Sequence, residues 1–464
     1  MKKYIITILF AFFTFTKVVF ASDFNINGKN VVLYNLNEDE VIYSKDMDVK
    51  TPVASLTKIM TTIVGIENIS DLNKKVIVKS NDLYGLNGYS KAGLKIGDRL
   101  TFKDLLYGIM LPSGGDAVNV LVNNSLGYEG FVYKMNETAK KIGLYNTSFS
   151  NPIGKDDNAN CSTANDIAKL LKYALKNEIF SEVFKTKMYS IQDKITFKST
   201  LSYYDGLLDT GKILGAKSGY TVDAGRCLAS IANLNDVNYL LIVINSGNDS
   251  PDSAIKDTLT IYDYYSKNYG YKNILIKNDI IKKIPVKYSR QKYYDIKPSK
   301  DVKMYLKNDS NIKYEYKGKD IINYKLKKGA YIGSIKVYND DKLIYIDNIY
   351  LNQNIAYYNI ILWILLLIII IFIIILINKK KKKTDNLGEK TEVLTLWDFT
   401  IKLYIFWYEC FIMPKYIYLL VYIKNIWLLF TYIISLLDYS CCKMYIIMYN
   451  NTNRSWFYDD GRNI

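Results

Sequence analysis

Histidine is absent from all 464 residues. That removes Ser-His-Asp and Cys-His hydrolases, the H-E-x-x-H zinc helix and every imidazole metal site. Acid–base chemistry near neutral pH therefore falls to Lys, Asp, Glu, Tyr or Cys whose pKa has been moved by its surroundings. Cysteine is scarce as well. Cys161 and Cys227 stand apart, Cys410, Cys441 and Cys442 crowd the end of the chain, and no C-x-x-C occurs. That spacing argues against a structural zinc site or a thioredoxin-like motif. Cys161 and Cys227 are either a disulfide in an oxidising compartment or two free thiols. Only seven prolines stand against 43 tyrosines, a bias of the whole composition, so a stripe of tyrosines carries no functional reading.

The length suits two or three domains rather than one core. Lys and Arg total 61 against 45 Asp and Glu, for a net charge of +16. Residues 1–21 read as a signal peptide. Lys2 and Lys3 precede an apolar stretch over residues 5–15, and Val19-Phe20-Ala21 resembles a small-residue cleavage site. An uncleaved anchor is the alternative, and it exports the chain beyond residue 21 all the same. Near the other end, residues 360–377 are unbroken apolar sequence, with Tyr357, Tyr358 and Trp363 at their start. A transmembrane helix over 357–378 is expected. The five lysines at 379–383 then mark the cytoplasmic side and put the body of the protein outside the membrane. They also account for part of the net charge, so +16 implies no nucleic-acid partner. Residues 379–464 form a basic segment and an atypical hydrophobic tail. Within that tail, 416–437 is either a second span or an extension without obvious chemistry.

Two textures lie between the hydrophobic ends. Up to about residue 272, short β-like runs (30–34, 238–244) alternate with helical stretches (55–66, 102–111, 164–175, 253–265), a mixture of α/β or α+β type. From 276 to 351, short strands at 281–286, 302–305, 312–316, 332–338 and 343–349 are separated by turns such as Lys307-Asn308-Asp309. That region is expected to be a small all-β domain.

A serine nucleophile without histidine needs another base, and Ser55-Leu56-Thr57-Lys58 supplies the spacing. Residues three apart on a helix share a face, so the amine reaches the hydroxyl, provided burial or a nearby cation lowers the lysine pKa. Alone the motif is weak, because S-x-x-K also occurs at Ser253–Lys256, Ser289–Lys292, Ser310–Lys313 and Ser440–Lys443. Ser55 is otherwise a helix-start serine. Two downstream motifs change the balance: Ser113-Gly114-Gly115 after a helical segment, and Lys217-Ser218-Gly219, the one K-[ST]-G in the chain.

With these motifs in order, the chain resembles the low-molecular-mass penicillin-binding proteins of the D-alanyl-D-alanine carboxypeptidase type. Residues 54–60, 110–117 and 217–225 carry the likeness, as does 143–153 with Asn151-Pro152. The resemblance implies an α+β fold: a β-lactamase/transpeptidase-like catalytic domain (22–272, antiparallel sheet with helices), the small β domain and the C-terminal anchor. It implies Ser55 as nucleophile, Lys58 as its base and Ser113 as proton carrier. It implies Lys217, Ser218, Gly219, Tyr220 and Gly115 as substrate-binding positions, with the N–H groups of Ser55 and Tyr220 as oxyanion hole. Peptidoglycan stem peptides and β-lactam antibiotics are the implied partners, and no metal or organic cofactor is implied. Three departures stand out. Gly115 replaces the family's usual Asn, Ser218 its usual Thr, and Lys256 is the one cation where an Arg often precedes the last catalytic helix. A catalytically impaired wall-binding protein, supported by Gly115 and the tail, is the alternative, and a β-lactamase, lacking a place for its deacylating Glu, is the lesser one.

Overall fold

The computed structural model describes residues 24–191, 194–204, 213–289, 291–356 and 360–385. The segment expected to be a signal peptide and the tail from 386, with Cys410, Cys441 and Cys442, lie outside the described residues. Two compact units are present, Met1–Tyr357 and Tyr358–Ile464.

The first unit is built on a five-stranded antiparallel sheet. In chain order its strands are β1 (Asn30–Asn35), β2 (Glu40–Lys45), β3 (Ile213–Thr221), β4 (Gly225–Leu234) and β5 (Val237–Ile244), and across the sheet they run β2-β1-β5-β4-β3. Alternation along each strand sorts side chains to two faces. Val32, Ala229, Ile231, Leu240, Ile242 and Ile244 face one core. That core is shared with α1 (Thr57–Asn68), α2 (Phe102–Met110), α3 (Gly115–Asn123), α4 (Gly127–Lys141), α5 (Ala164–Ala174) and α6 (Glu178–Lys185). Val31, Leu33, Leu228, Leu241 and Val243 face the other, covered by α7 (Ser253–Asn268) through Ala254, Ile255, Ile261 and Tyr262. This is an α+β sandwich of helices around one sheet.

Local chemistry fixes the helix starts. Thr101 caps α2 by accepting from Asp104 N, and the Asp104 carboxylate returns to Thr101 N, a reciprocal capping box. Thr163 accepts from Asp166 N at the start of α5. Ser55 makes no such cap. It sits in a 3₁₀ turn, Ala54–Leu56, that leads into α1, so the α-helix proper opens two residues after the expected start at 55.

The β region begins earlier than the turn pattern at 276 implies. β6 (Tyr269–Leu275) starts where α7 ends and pairs with β9 (Val302–Lys307). Between them lie β7 (Lys282–Lys287) and β8 (Tyr293–Ile296). Downstream are β10 (Ile312–Gly318), the short β11 (Ile322–Asn323), β12 (Tyr331–Asn339) and β13 (Lys342–Tyr350). β10, β12 and β13 form a meander over a core of Ile284, Ile296, Ile322, Ile335 and Val337.

In the second unit, α8 spans Ile360–Asp385. Residues Leu362–Lys379 are long and apolar enough to cross a membrane. The helix continues through the five lysines, which are good helix formers. The two thiols described, Cys161 and Cys227, are free, which settles the open choice between a bridge and separate thiols. Burial pushes the Cys227 thiol up to about 12.

Candidate active site

Four segments converge on Ser55: its own 3₁₀ turn with α1, the loop between α2 and α3, the 151–154 loop, and β3. The turn is held in an uncommon backbone. Ala54, just before the serine, has φ +47, and Ser113 has φ +62, a region L-residues enter only when the surroundings over-determine it. Glycines allow the close approaches. A Cβ on Gly154 (φ +86) would sit 2.1 Å from Ala54 O, and one on Gly219 would sit 3.1 Å from Ser55 N.

Lys58 is 2% exposed. Its Nζ lies 3.0 Å from Ser55 Oγ and donates to Ile153 O at 2.6 Å. Burial lowers its pKa from 10.5 to about 7, against a smaller upward pull from Asp116. A neutral amine has one lone pair, and with an N–H spent on Ile153 O that pair is free for the serine hydroxyl. The loop supplying this carbonyl is itself fixed: Asn151 Oδ1 accepts from Gly154 N and Lys155 N, and Thr61 Oγ1 donates to Pro152 O.

Lys217, on β3, is 1% exposed. Its Nζ donates to Ser113 Oγ at 3.0 Å and to Ser218 O at 2.6 Å. Its pKa lies well below the ordinary value, chiefly through burial and secondarily through the Lys58 charge. Two buried amines thus flank two hydroxyls, and the Lys58 charge weakens the hold of Lys217 on its proton.

The remaining expected positions fall around this pair. Ser218 Oγ is 2.6 Å from Thr200 Oγ1. Gly219 is buried against the Ser55 turn, and the Tyr220 side chain is 44% exposed. Gly115 opens α3, and its N donates to Ser90 O at 2.8 Å. A Cβ there would meet Leu86 Cδ2 at 2.8 Å and Ile153 Cγ2 at 3.7 Å, so Leu86 fills the root of an Asn side chain at this position. Asn119, the nearest amide in sequence, is occupied elsewhere: it donates to Asp82 O and Tyr84 O. Lys256 is also displaced from the site chemistry, being exposed and paired with Asp252 at 3.0 Å.

Sequence reasoning missed Asp116, Thr200 and the Ile153 carbonyl. Asp116 is buried, and its carboxylate accepts from Ala92, Gly93, Leu94 and Ala117 N. It pins residues 92–94 beside the Ser113 loop. A buried-looking acid directly after Gly114-Gly115 was the one available signal.

Comparison with known proteins agrees with this geometry. A family profile described as D-alanyl-D-alanine carboxypeptidase matches residues 17–248, and one described as the C-terminal domain of penicillin-binding protein 5 matches 269–357. D-alanyl-D-alanine carboxypeptidase DacF of Bacillus subtilis is 28% identical over 366 residues, covering 74% of this chain and 92% of that protein. A D-alanyl-D-alanine carboxypeptidase of Streptomyces sp. (strain K15) is 35% identical over 213 residues, 41% of this chain and 71% of the relative. The fold is that of penicillin-binding protein 5 from Haemophilus influenzae, at a TM-score of 0.52 and 23% identity, covering 72% of this chain and 99% of that one. With its first half matched and a serine–lysine pair at the centre of the fold, the chain belongs to the D-alanyl-D-alanine carboxypeptidase family of serine peptidases.

Proposed function

We propose that Ser55 removes the terminal D-alanine from peptidoglycan stem peptides through an acyl-enzyme, with Lys58 as its base. Serine-type carboxypeptidase activity on peptidoglycan follows from the family. The residue roles rest on one observation above the others: a buried amine with a pKa of about 7, 3.0 Å from the serine hydroxyl.

Neutral Lys58 takes the Ser55 proton as Oγ attacks the carbonyl between the two D-alanines. The N–H groups of Ser55 and Tyr220 receive the developing oxyanion, on either side of the contact that Gly219 makes possible. The C–N bond then breaks. Ser113, within 3.0 Å of Lys217, relays a proton to the departing amine, and the Ser218 hydroxyl holds the terminal carboxylate. Water, deprotonated by the same lysine, releases the shortened peptide. The substrate backbone lies along the outer edge of β3, which ends the sheet. β-Lactams acylate Ser55 as mimics of the same dipeptide.

The apolar α8 is a candidate membrane anchor. With the lysines at its end inside, the catalytic unit faces the exterior, where its substrate is.

The test is incubation with labelled penicillin, mapping the label by peptide mass spectrometry, beside a D-alanine release assay. Label on Ser55, lost in Ser55→Ala, is expected. Label that persists in Ser55→Ala, or maps to Ser253, overturns the assignment.

A further inference from the structure

Several exposed lysines of the β region have an acid beside them. Lys282 pairs with Asp320, Lys307 with Asp309, Lys313 with Asp341 and Lys317 with Glu315. One end of the region is different, and three segments meet there. β7 and β11 pair through Val286 with Ile322 and Lys287 with Asn323, and the Tyr288 and Tyr324 rings lie 6.4 Å apart. Residues 328–330 close onto 351–354: Gly329 N donates to Leu351 O, Leu351 N to Ala330 O, and Lys328 N to Asn354 Oδ1. Tyr294, two residues after Lys292, donates its hydroxyl to Asn352 Oδ1.

These segments, 284–294, 321–334 and 348–356, hold no Asp or Glu. They carry Lys287, Lys292, Lys325, Lys327 and Lys328, all exposed. Among the described residues no carboxylate pairs with any of the five. Like charges gathered without counter-ions repel one another, and an anionic surface relieves that repulsion. The chain itself points to which surface. Ile355 is buried in the core of the β region, and α8 begins at Ile360. Five peptide steps reach at most about 18 Å. Asn354, which holds the Lys328 backbone, immediately precedes that buried isoleucine. Once α8 enters a bilayer, the lysines are therefore tethered within reach of its headgroups. Tyr331 and Tyr350 meet edge to face at 5.7 Å at the same end, a pairing suited to an interface, though it is the cations that select the lipid.

We propose that this face of the β region, built from Lys287, Lys292, Lys325, Lys327 and Lys328, docks on anionic phospholipid headgroups of the bilayer that α8 enters. The span is the first membrane contact and the lysine face the second. Each lysine near an anionic leaflet favours the docked state about fivefold. The proposal rests on α8 as a span and is independent of the chemistry at Ser55.

The experiment reconstitutes the full-length protein in vesicles of phosphatidylcholine, or of phosphatidylcholine mixed with phosphatidylglycerol. A membrane-impermeant acylating reagent modifies exposed amines, and peptide mass spectrometry gives the rate at each lysine. Lys313 and Lys342, at the far end of the β10–β12–β13 meander, serve as internal references. Relative to them, the five lysines should react about fivefold more slowly in the anionic vesicles, with little protection in phosphatidylcholine and loss of protection at high salt. The triple variant Lys325→Gln, Lys327→Gln, Lys328→Gln changes exposed side chains only, and it should also release Lys287 and Lys292. Protection that is absent, equal in both lipids, shared by Lys313 and Lys342, or retained by Lys287 and Lys292 in the triple variant overturns the docking. Protein washed from both kinds of vesicle by alkaline carbonate overturns α8 as a span, and this proposal with it.

Discussion

Raising the pH from 6 to 8 should speed acylation of Ser55 by penicillin about tenfold. Lys58 titrates at about 7 because burial strips water from its charged form. Such an amine is neutral in about 9% of molecules at pH 6, half at pH 7 and about 91% at pH 8. An ordinary lysine would be neutral in roughly three molecules in ten thousand at pH 7. Penicillin itself does not titrate in that interval, so the profile belongs to the enzyme. Rapid-quench measurement of labelled acyl-enzyme across pH 5.5–9 reads it directly. A flat profile, or a rise centred above about pH 9, refutes the assignment of Lys58 as base. The same burial has a thermodynamic signature with a definite sign. The folded pKa is depressed, so between about 7 and 10.5 the unfolded chain binds a proton that the folded chain does not. Stability from this group therefore rises with pH through that window. Holding the amine neutral costs about 4 kcal/mol at pH 7 and about 1.4 kcal/mol at pH 9.5. Lys58→Met removes that cost and forfeits the contacts with Ser55 and Ile153, worth roughly 1–3 kcal/mol. The inactive variant should be the more stable protein at pH 7, and its advantage should shrink by about 3 kcal/mol at pH 9.5. Denaturant melts at the two pH values measure this, and a pH-independent difference contradicts it.

Gly219→Ala should cut acylation about a hundredfold with little loss of thermal stability, because its Cβ would sit 3.1 Å from Ser55 N and 3.2 Å from Ala54 Cβ and must push the turn off β3; wild-type rates would refute it. Gly115→Asn alone should lower stability by about 1–3 kcal/mol by crowding Leu86. Combined with Leu86→Ala it should raise kcat/KM for D-alanine release, and no gain in the folded double variant would mean the site is built around the glycine. Protease added to intact protoplasts should remove the catalytic unit, and its protection would overturn the proposed orientation of α8.

Local spacing made the reactive pair legible. Ser55 and Lys58 are one helical turn apart, and Lys217-Ser218-Gly219 is a contiguous strand motif, so both needed only the geometry of a single element. The partners that tune them were hidden by distance along the chain. Ile153 O meets Lys58 across 95 residues, and Lys217 meets Ser113 across 104; only the motif order hinted at the second. Elements with strong periodicity, such as α5 and β12, were readable to within a residue or two. Their assembly was not: β1 pairs with β5 across some two hundred residues, and no local pattern encodes that closure. The start of β6 was obscured because α7 passes into it without a turn residue.

β3 ends its sheet, and among the described residues no strand pairs with its outer edge. Proteins usually hide such an edge, since any extended chain can zip onto it. With the substrate laid along this edge, as proposed, concealment would block the enzyme, so the hazard has to be met within the strand. It carries glycine at 215 and 219 and buries a lysine at 217. Those features make it a poor template for a copy of itself. Replacing them with β-branched residues would trade a selective recognition edge for a self-associating one, with solubility declining before the fold does.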